Sequence, residues 1–201
     1  MSKDWYNTSL EHLDQENYSQ AILSIDCYIE QHPKNKNGRL LRAVIYGHLS
    51  NYNKVLEILA DISPSDDDST KYSKLYCTEL GDTYKELGNF SEALNWYDQA
   101  IEIAPNETVG YIMKGCCLAS MGDYEGAKTE HLKATKLEGD PEEAFYNLAL
   151  IARAELKLED AIEYCEKSLE IDPDDIKVIH CRKDILDAIR MKKEVNKHYH
   201  S

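Results

Sequence analysis

Asp66-Asp67-Asp68, the adjacent pair Cys116-Cys117, and His198 with His200 are where this sequence gathers side chains able to hold a metal. The aspartate run resembles the start of a calcium loop, which places carboxylates at alternate positions around a tight glycine turn. The later glycine and glutamate that complete such a loop are missing, so the run reads as a helix N-cap and solvated turn. Cys116 and Cys117 fall within a helical pattern. Neighbouring helix positions point about 100° apart, so the two thiols do not converge on one ion and read as packing residues. His198 and His200 could bind a metal only adventitiously. The six cysteines show no CxxC spacing, and reduced thiols are expected. No G-x-S-x-G, HExxH or phosphate loop is present. The expectation is a non-enzyme with no catalytic, cofactor or metal site.

Charge narrows the partners. The chain carries a net charge of −14, divided between −18 over the first 175 residues and +4 from Ile176 onward. An acidic body disfavours a nucleic-acid backbone as ligand and suits a basic peptide, with steering that salt weakens. With 42% hydrophobic and 30% charged residues the chain can bury a core. It has no apolar run of about 18 residues to span a membrane. The opening MSKDWYNTSL lacks a basic-then-apolar leader, so a cytoplasmic location is expected.

The elements that position these residues come from a recurring unit. Ala21, Val55, Ala93, Ala127 and Ala161 are spaced by 34, 38, 34 and 34 residues. Three residues before each stands Tyr18, Tyr52, Phe90, Tyr124 or Leu158. Twelve before each stands a small residue: Ser9, Ala43, Gly81, Gly115 and Ala149. Pro33, Pro105 and Pro173 close three of the units. Each unit holds two apolar stripes at helical period around a short polar turn. Gly88-Asn89 supplies such a turn and Ser91 is expected to cap the helix after it. Gly81 and Ala93 are small where two helices cross, with Tyr84 and Tyr97 filling the space beside them. A hairpin of this size cannot bury both faces alone, so neighbours must stack.

The stretch LGDTYKELGNFSEALNWYDQAIEIAPNE (residues 80–107) resembles the tetratricopeptide repeat nearly throughout, and the resemblance covers about residues 2–175. It implies an all-α, right-handed superhelical solenoid of helix-turn-helix repeats, at approximately 2–35, 36–69, 74–107, 108–141 and 142–175. A short insertion falls near 64–73, a C-terminal capping helix at 176–196 and a frayed tail at 197–201. The insertion should start the first helix of repeat three early, capped by one of residues 66–69. Arg39 and Arg42 depart from the apolar pattern. His131 takes an aromatic slot, where it is expected as a packed, hydrogen-bonded core histidine. The capping helix should bury Ile176, Ile179, Ile185, Ile189 and Met191.

In this family the first helices line a concave groove that binds peptides. The repeat phase puts Leu40, Leu41 and Val44 in it, then Glu79, Asp82 and Glu86. Val109, Ile112, Met113 and Cys116 follow, then Tyr146, Asn147, Leu150 and Arg153. The last two sets suit apolar side chains of a partner, and the acidic trio suits a Lys or Arg. The family's two-carboxylate clamp for Hsp70 and Hsp90 C-termini needs lysine, asparagine and arginine at fixed groove positions. At those positions this sequence offers Thr78, Asp82, Met113, Glu143 and Asn147 in one frame, and no frame fits. The resemblance therefore implies an interaction module or adaptor for a protein or peptide with basic and apolar side chains. The alternatives are a self-associating scaffold and a chaperone or co-chaperone for an apolar client segment.

Overall fold

The computed structural model describes residues 4–65, 68–137, 139 and 141–199, the last four as backbone only. Among the described residues there are eleven α-helices and no strand: α1 Trp5–Asp14, α2 Tyr18–Gln31, α3 Lys36–His48, α4 Tyr52–Ala60, α5 Thr70–Glu86, α6 Phe90–Ile103, α7 Thr108–Ser120, α8 Tyr124–Ala134, α9 Glu142–Ala154, α10 Leu158–Ile171 and α11 Ile176–Tyr199. The chain divides into two compact units, Met1–Pro105 with α1–α6 and Asn106–Ser201 with α7–α11.

The hairpin turns share one geometry. Glu16, Ser50, Gly88, Gly122 and Leu156 all have φ between 55° and 83°. The residue after each donates its N–H five residues back, as in Asn89 N to Tyr84 O at 2.8 Å and Lys157 N to Ala152 O at 2.9 Å. This left-handed ending satisfies carbonyls that the helix leaves orphaned. Gly88 fits it without cost. The hairpin after Gly88 begins at Phe90 with Asn89 as N-cap, so Ser91 lies inside the helix rather than capping it.

In the first unit α5 is 17 residues long and is capped by Ser69, whose hydroxyl accepts from Tyr72 N. The extra turn is tied to α3. Lys36 Nζ reaches Asp68 Oδ2 at 2.6 Å and the Ser63 carbonyl at 3.0 Å. The Tyr72 hydroxyl donates to the Ile62 carbonyl. Asp68 also accepts from Ser65, and these bonds hold its carboxyl below the ordinary value. Asp68 is thus committed to a turn, while Asp66 and Asp67 lie outside the described residues. Arg42 pairs with Asp26 at 3.2 Å and Arg39 donates to the Pro33 carbonyl at 2.6 Å, so both cations tie α3 to α2 and its end.

The hairpin crossings are tight. A Cβ added at Gly81 would stand 2.5–2.9 Å from the ring of Tyr97 on α6. Tyr97 is fully buried, which contributes on the order of 2–3 kcal/mol. In the second unit the same arrangement sets Gly115 against the His131 ring, at 2.6–2.9 Å. The second unit ends on α11, which lays Val178, Cys181 and Ile185 against α10. Ile185 and the partly buried Ile189 are on the expected face, but Ile176, Ile179 and Met191 are exposed. The buried stripe is the 178–181–185 row, whose three- and four-residue steps follow the helix. Lys183 lies 34 residues after Ala149, where a close crossing needs a small residue, and it is exposed.

Candidate functional site: two matching cradles

Each unit holds a cradle between consecutive first helices. In the first unit a cavity of about 260 Å³ is walled by Val44, Gly47 and His48 of α3, Tyr52 of α4, and Glu79, Asp82, Thr83 and Glu86 of α5. In the second, one of about 260 Å³ is walled by Cys116 and Ala119 of α7, Tyr124 and His131 of α8, and Asn147, Leu150, Ile151 and Ala154 of α9. These are equivalent places. Residues 44, 47 and 52 become 116, 119 and 124 after 72 positions. Residues 79, 82, 83 and 86 become 147, 150, 151 and 154 after 68 positions.

The same backbone thus presents opposite chemistry. Glu79 and Asp82 in the first cradle stand where Asn147 and Leu150 stand in the second. Burial, and then the Asp82 charge, push the Glu79 carboxyl up to about 7. Asp82 is also raised, chiefly by burial, although Tyr97 Oη donates to its Oδ1 at 2.6 Å. Lys85 lies 3.8 Å from Asp82, partly offsetting that rise, and 3.4 Å from Glu86. Nothing lowers Glu79 in the same way. Carboxyls that resist ionisation in a cavity are stabilised when a cation enters it. One rim is aromatic: His48 stacks on Tyr18 with centroids 5.6 Å apart.

In the second cradle Asn147 Nδ2 donates to Cys116 Sγ at 3.4 Å. His131 is 1% exposed, and its Nδ1 finds no hydrogen-bond partner among the described residues. It is the packed histidine expected, without a hydrogen bond at that atom. Burial drives it down to about 4, so the ring is neutral at pH 7.

Not every residue read from the sequence reaches these surfaces. Val44, Glu79, Asp82 and Glu86 come together in the first cradle, and Cys116, Asn147 and Leu150 in the second. Leu40 and Leu41 do not: at 1% and 6% exposure they belong to the first unit's core. Helix α3 packs against α2, α4 and α5, and of its residues Val44, Gly47 and His48 face the cradle. Ile112, 4% exposed, packs with Ala134 and Ala144. It touches a separate cavity of about 380 Å³, with Val109, Met113, Glu142 and Glu143 also on its wall. Tyr146 and Arg153 lie toward α11, where Lys177 Nζ sits 5.5 Å from the Tyr146 ring centroid and 3.2 Å from Glu143. Sequence reading missed Tyr52 and Tyr124, which close the cradles from the second helices. Their signal was the recurring position that is aromatic in four units and Leu158 in the fifth.

Among the described residues no group of three or more His, Cys, Asp or Glu side chains is arranged to hold a metal ion. No helix there is long and apolar enough to cross a membrane.

Comparison with known proteins agrees with the repeat geometry. One model of the tetratricopeptide repeat matches residues 76–107 and 142–175, and a second matches 110–141. A TPR repeat-containing protein of Methanocaldococcus jannaschii is 30% identical over 110 residues, covering 55% of this chain and 33% of its own length. The chain spans a third or less of the length of the curated relatives it matches. Among solved structures, a thermophilic TPR protein of Thermus thermophilus superposes with a TM-score of 0.79 at 18% identity, over 91% of this chain and 97% of that one. The first TPR of Spaghetti (RPAP3), bound to the HSP90 peptide SRMEEVD, superposes with a TM-score of 0.54 at 21% identity, over 58% of this chain and 95% of that one. These likenesses show the fold.

Proposed function

Because the chain belongs to the tetratricopeptide-repeat family, whose members are generally non-catalytic interaction modules, we propose that it is an adaptor binding a peptide or partner protein on its first-helix faces. The first unit's cradle takes a lysine or arginine side chain of the partner, and the second unit's takes an aliphatic one. The observation that carries this reading is the pair of equivalent cavities lined by opposite chemistry. A cation between Glu79 and Asp82 would favour the ionised form of both carboxyls, and its aliphatic stem would lie along Val44 and Tyr52. Neither cradle offers lysines and arginines converging on a carboxylate. The acidic SRMEEVD peptide that the Spaghetti domain holds is therefore a poor match here.

Fluorescence anisotropy with three labelled peptides tests this. The probes are a peptide alternating lysine and leucine, its glutamate-for-lysine analogue, and SRMEEVD. The lysine–leucine peptide should bind at least tenfold tighter than the others, with the preference shrinking as salt rises. Equal affinities, or tighter binding of SRMEEVD, would overturn the reading.

A further inference from the structure

Another cavity of the first unit shares no wall residue with the cradle. It holds about 250 Å³ and is walled by Ile29 of α2, Arg39 and Arg42 of α3, Glu57 and Ile58 of α4, and Asp61 just beyond α4. The two arginines are the residues that break the apolar pattern of the repeat. Each uses one guanidinium nitrogen: Arg42 Nη1 meets Asp26 Oδ1 at 3.2 Å, and Arg39 Nη2 donates to the Pro33 carbonyl at 2.6 Å. Their other nitrogens make no hydrogen bond among the described residues, and Arg42 Nε is buried without one. On the α4 side Lys54 meets Glu57 Oε1 at 2.7 Å, while Asp61 has no ion pair among the described residues. No ion pair there joins either arginine to Glu57 or Asp61, although all four line one cavity. Asp26 and the Pro33 carbonyl draw the guanidiniums toward α2 and its end, and Lys54 draws Glu57 along α4. Two cations and two anions thus share one space without neutralising each other.

We propose that this cavity binds a small zwitterion, a free α-amino acid with an aliphatic side chain. A net anion suits the arginines but is repelled by Glu57 and Asp61. A net cation suits the carboxylates but is repelled by the arginines. A molecule carrying both charges satisfies both sides and leaves the local charge unchanged. Its carboxylate accepts charge-assisted hydrogen bonds from the unused guanidinium nitrogens. Its ammonium donates to Asp61 and Glu57. Its side chain lies against Ile29 and Ile58, where removal of apolar surface from water adds to binding. Size agrees with this class. Pockets that enclose drug-sized ligands run from about 300 Å³ upward, and this one, at about 250 Å³, suits a smaller molecule. The site is separate from the peptide-binding reading, since none of its wall residues lines either cradle.

The test is a titration of the full chain with L-leucine, followed by amide NMR. Saturable shifts are expected at residues 39–42 and 57–61, with 79–86 and 147–154 unmoved. N-acetyl-L-leucine lacks the ammonium and L-leucine methyl ester lacks the carboxylate, and each should bind roughly tenfold or more weaker than L-leucine. Asp61 is exposed and Arg39 half-buried, so both can be replaced without opening the core. Asp61→Asn should weaken L-leucine and narrow its advantage over the N-acetyl compound. Arg39→Gln should weaken it and narrow its advantage over the ester. No saturable shift at 39–42 and 57–61, equal binding of the three compounds, or unchanged L-leucine affinity in both variants would overturn the proposal.

Discussion

The hairpins α5–α6 and α7–α8 make the same crossing with different rings. In the first unit Gly81 meets Tyr97, whose hydroxyl is spoken for by Asp82. In the second Gly115 meets His131, and the position equivalent to Asp82 is Cys116. A carboxylate behind the first ring leaves an acidic cradle and a satisfied hydroxyl. Its loss behind the second leaves an apolar cradle and a histidine held neutral. One backbone can therefore carry two binding chemistries, because the residues that set the crossing and those that face the cavity alternate along the same helix.

Acid should separate the two units most. Glu79 is raised from 4.5 to about 7 in the folded protein. Its folded form keeps a proton that the unfolded chain releases, so its contribution is present below about 4.5 and lost as pH rises to about 7. His131 is lowered from 6.5 to about 4. Its contribution is present above about 6.5 and lost as pH falls toward 4. Each amounts to on the order of 3 kcal/mol. Glu79→Gln should remove the first trend from amide exchange in α5, and His131→Phe the second from exchange in α8. Unchanged pH profiles in both variants would erase this contrast.

Ala93→Leu comes next. It overfills the α5–α6 crossing and should cost about 1–3 kcal/mol in chemical denaturation. An unchanged midpoint would mean that the crossing tolerates bulk. The smallest effect sharpens the comparison by transplanting the first unit's pair into the second. Combining Cys116→Asp with His131→Tyr should show a coupling of about 1 kcal/mol in a double-mutant cycle. Additive single effects would mean that the tyrosine–carboxylate bond does not depend on this crossing.

The repeat was legible because its period is enforced by packing. A small residue recurs at each crossing and an aromatic or leucine opens each second helix, so Gly81, Ala93 and Phe90 announce themselves. The surface was less legible. Leu40 and Leu41 sit on a first helix, but three neighbours pack against α3 and a single residue step turns a side chain by about 100°. Ile112 packs with Ala134 and Ala144 and lines a different cavity from the second cradle. The walls supplied by Tyr52 and Tyr124 went unread because only first helices were considered. Glu16, Ser50 and Leu156 end their helices in the left-handed region without being glycine, so the turn motif was visible only where Gly88 and Gly122 spell it. On α11 the buried row is 178–181–185. The isoleucines mark it only in part, because Cys181 packs as an apolar residue.

The most direct measurement is hydrogen exchange with two peptides that differ at one position, a lysine in one and a leucine in the other. The lysine peptide should protect residues 79–86 more strongly and the leucine peptide 147–154 more strongly. The same protection pattern with both peptides would contradict the claim that the two cradles differ in what they bind.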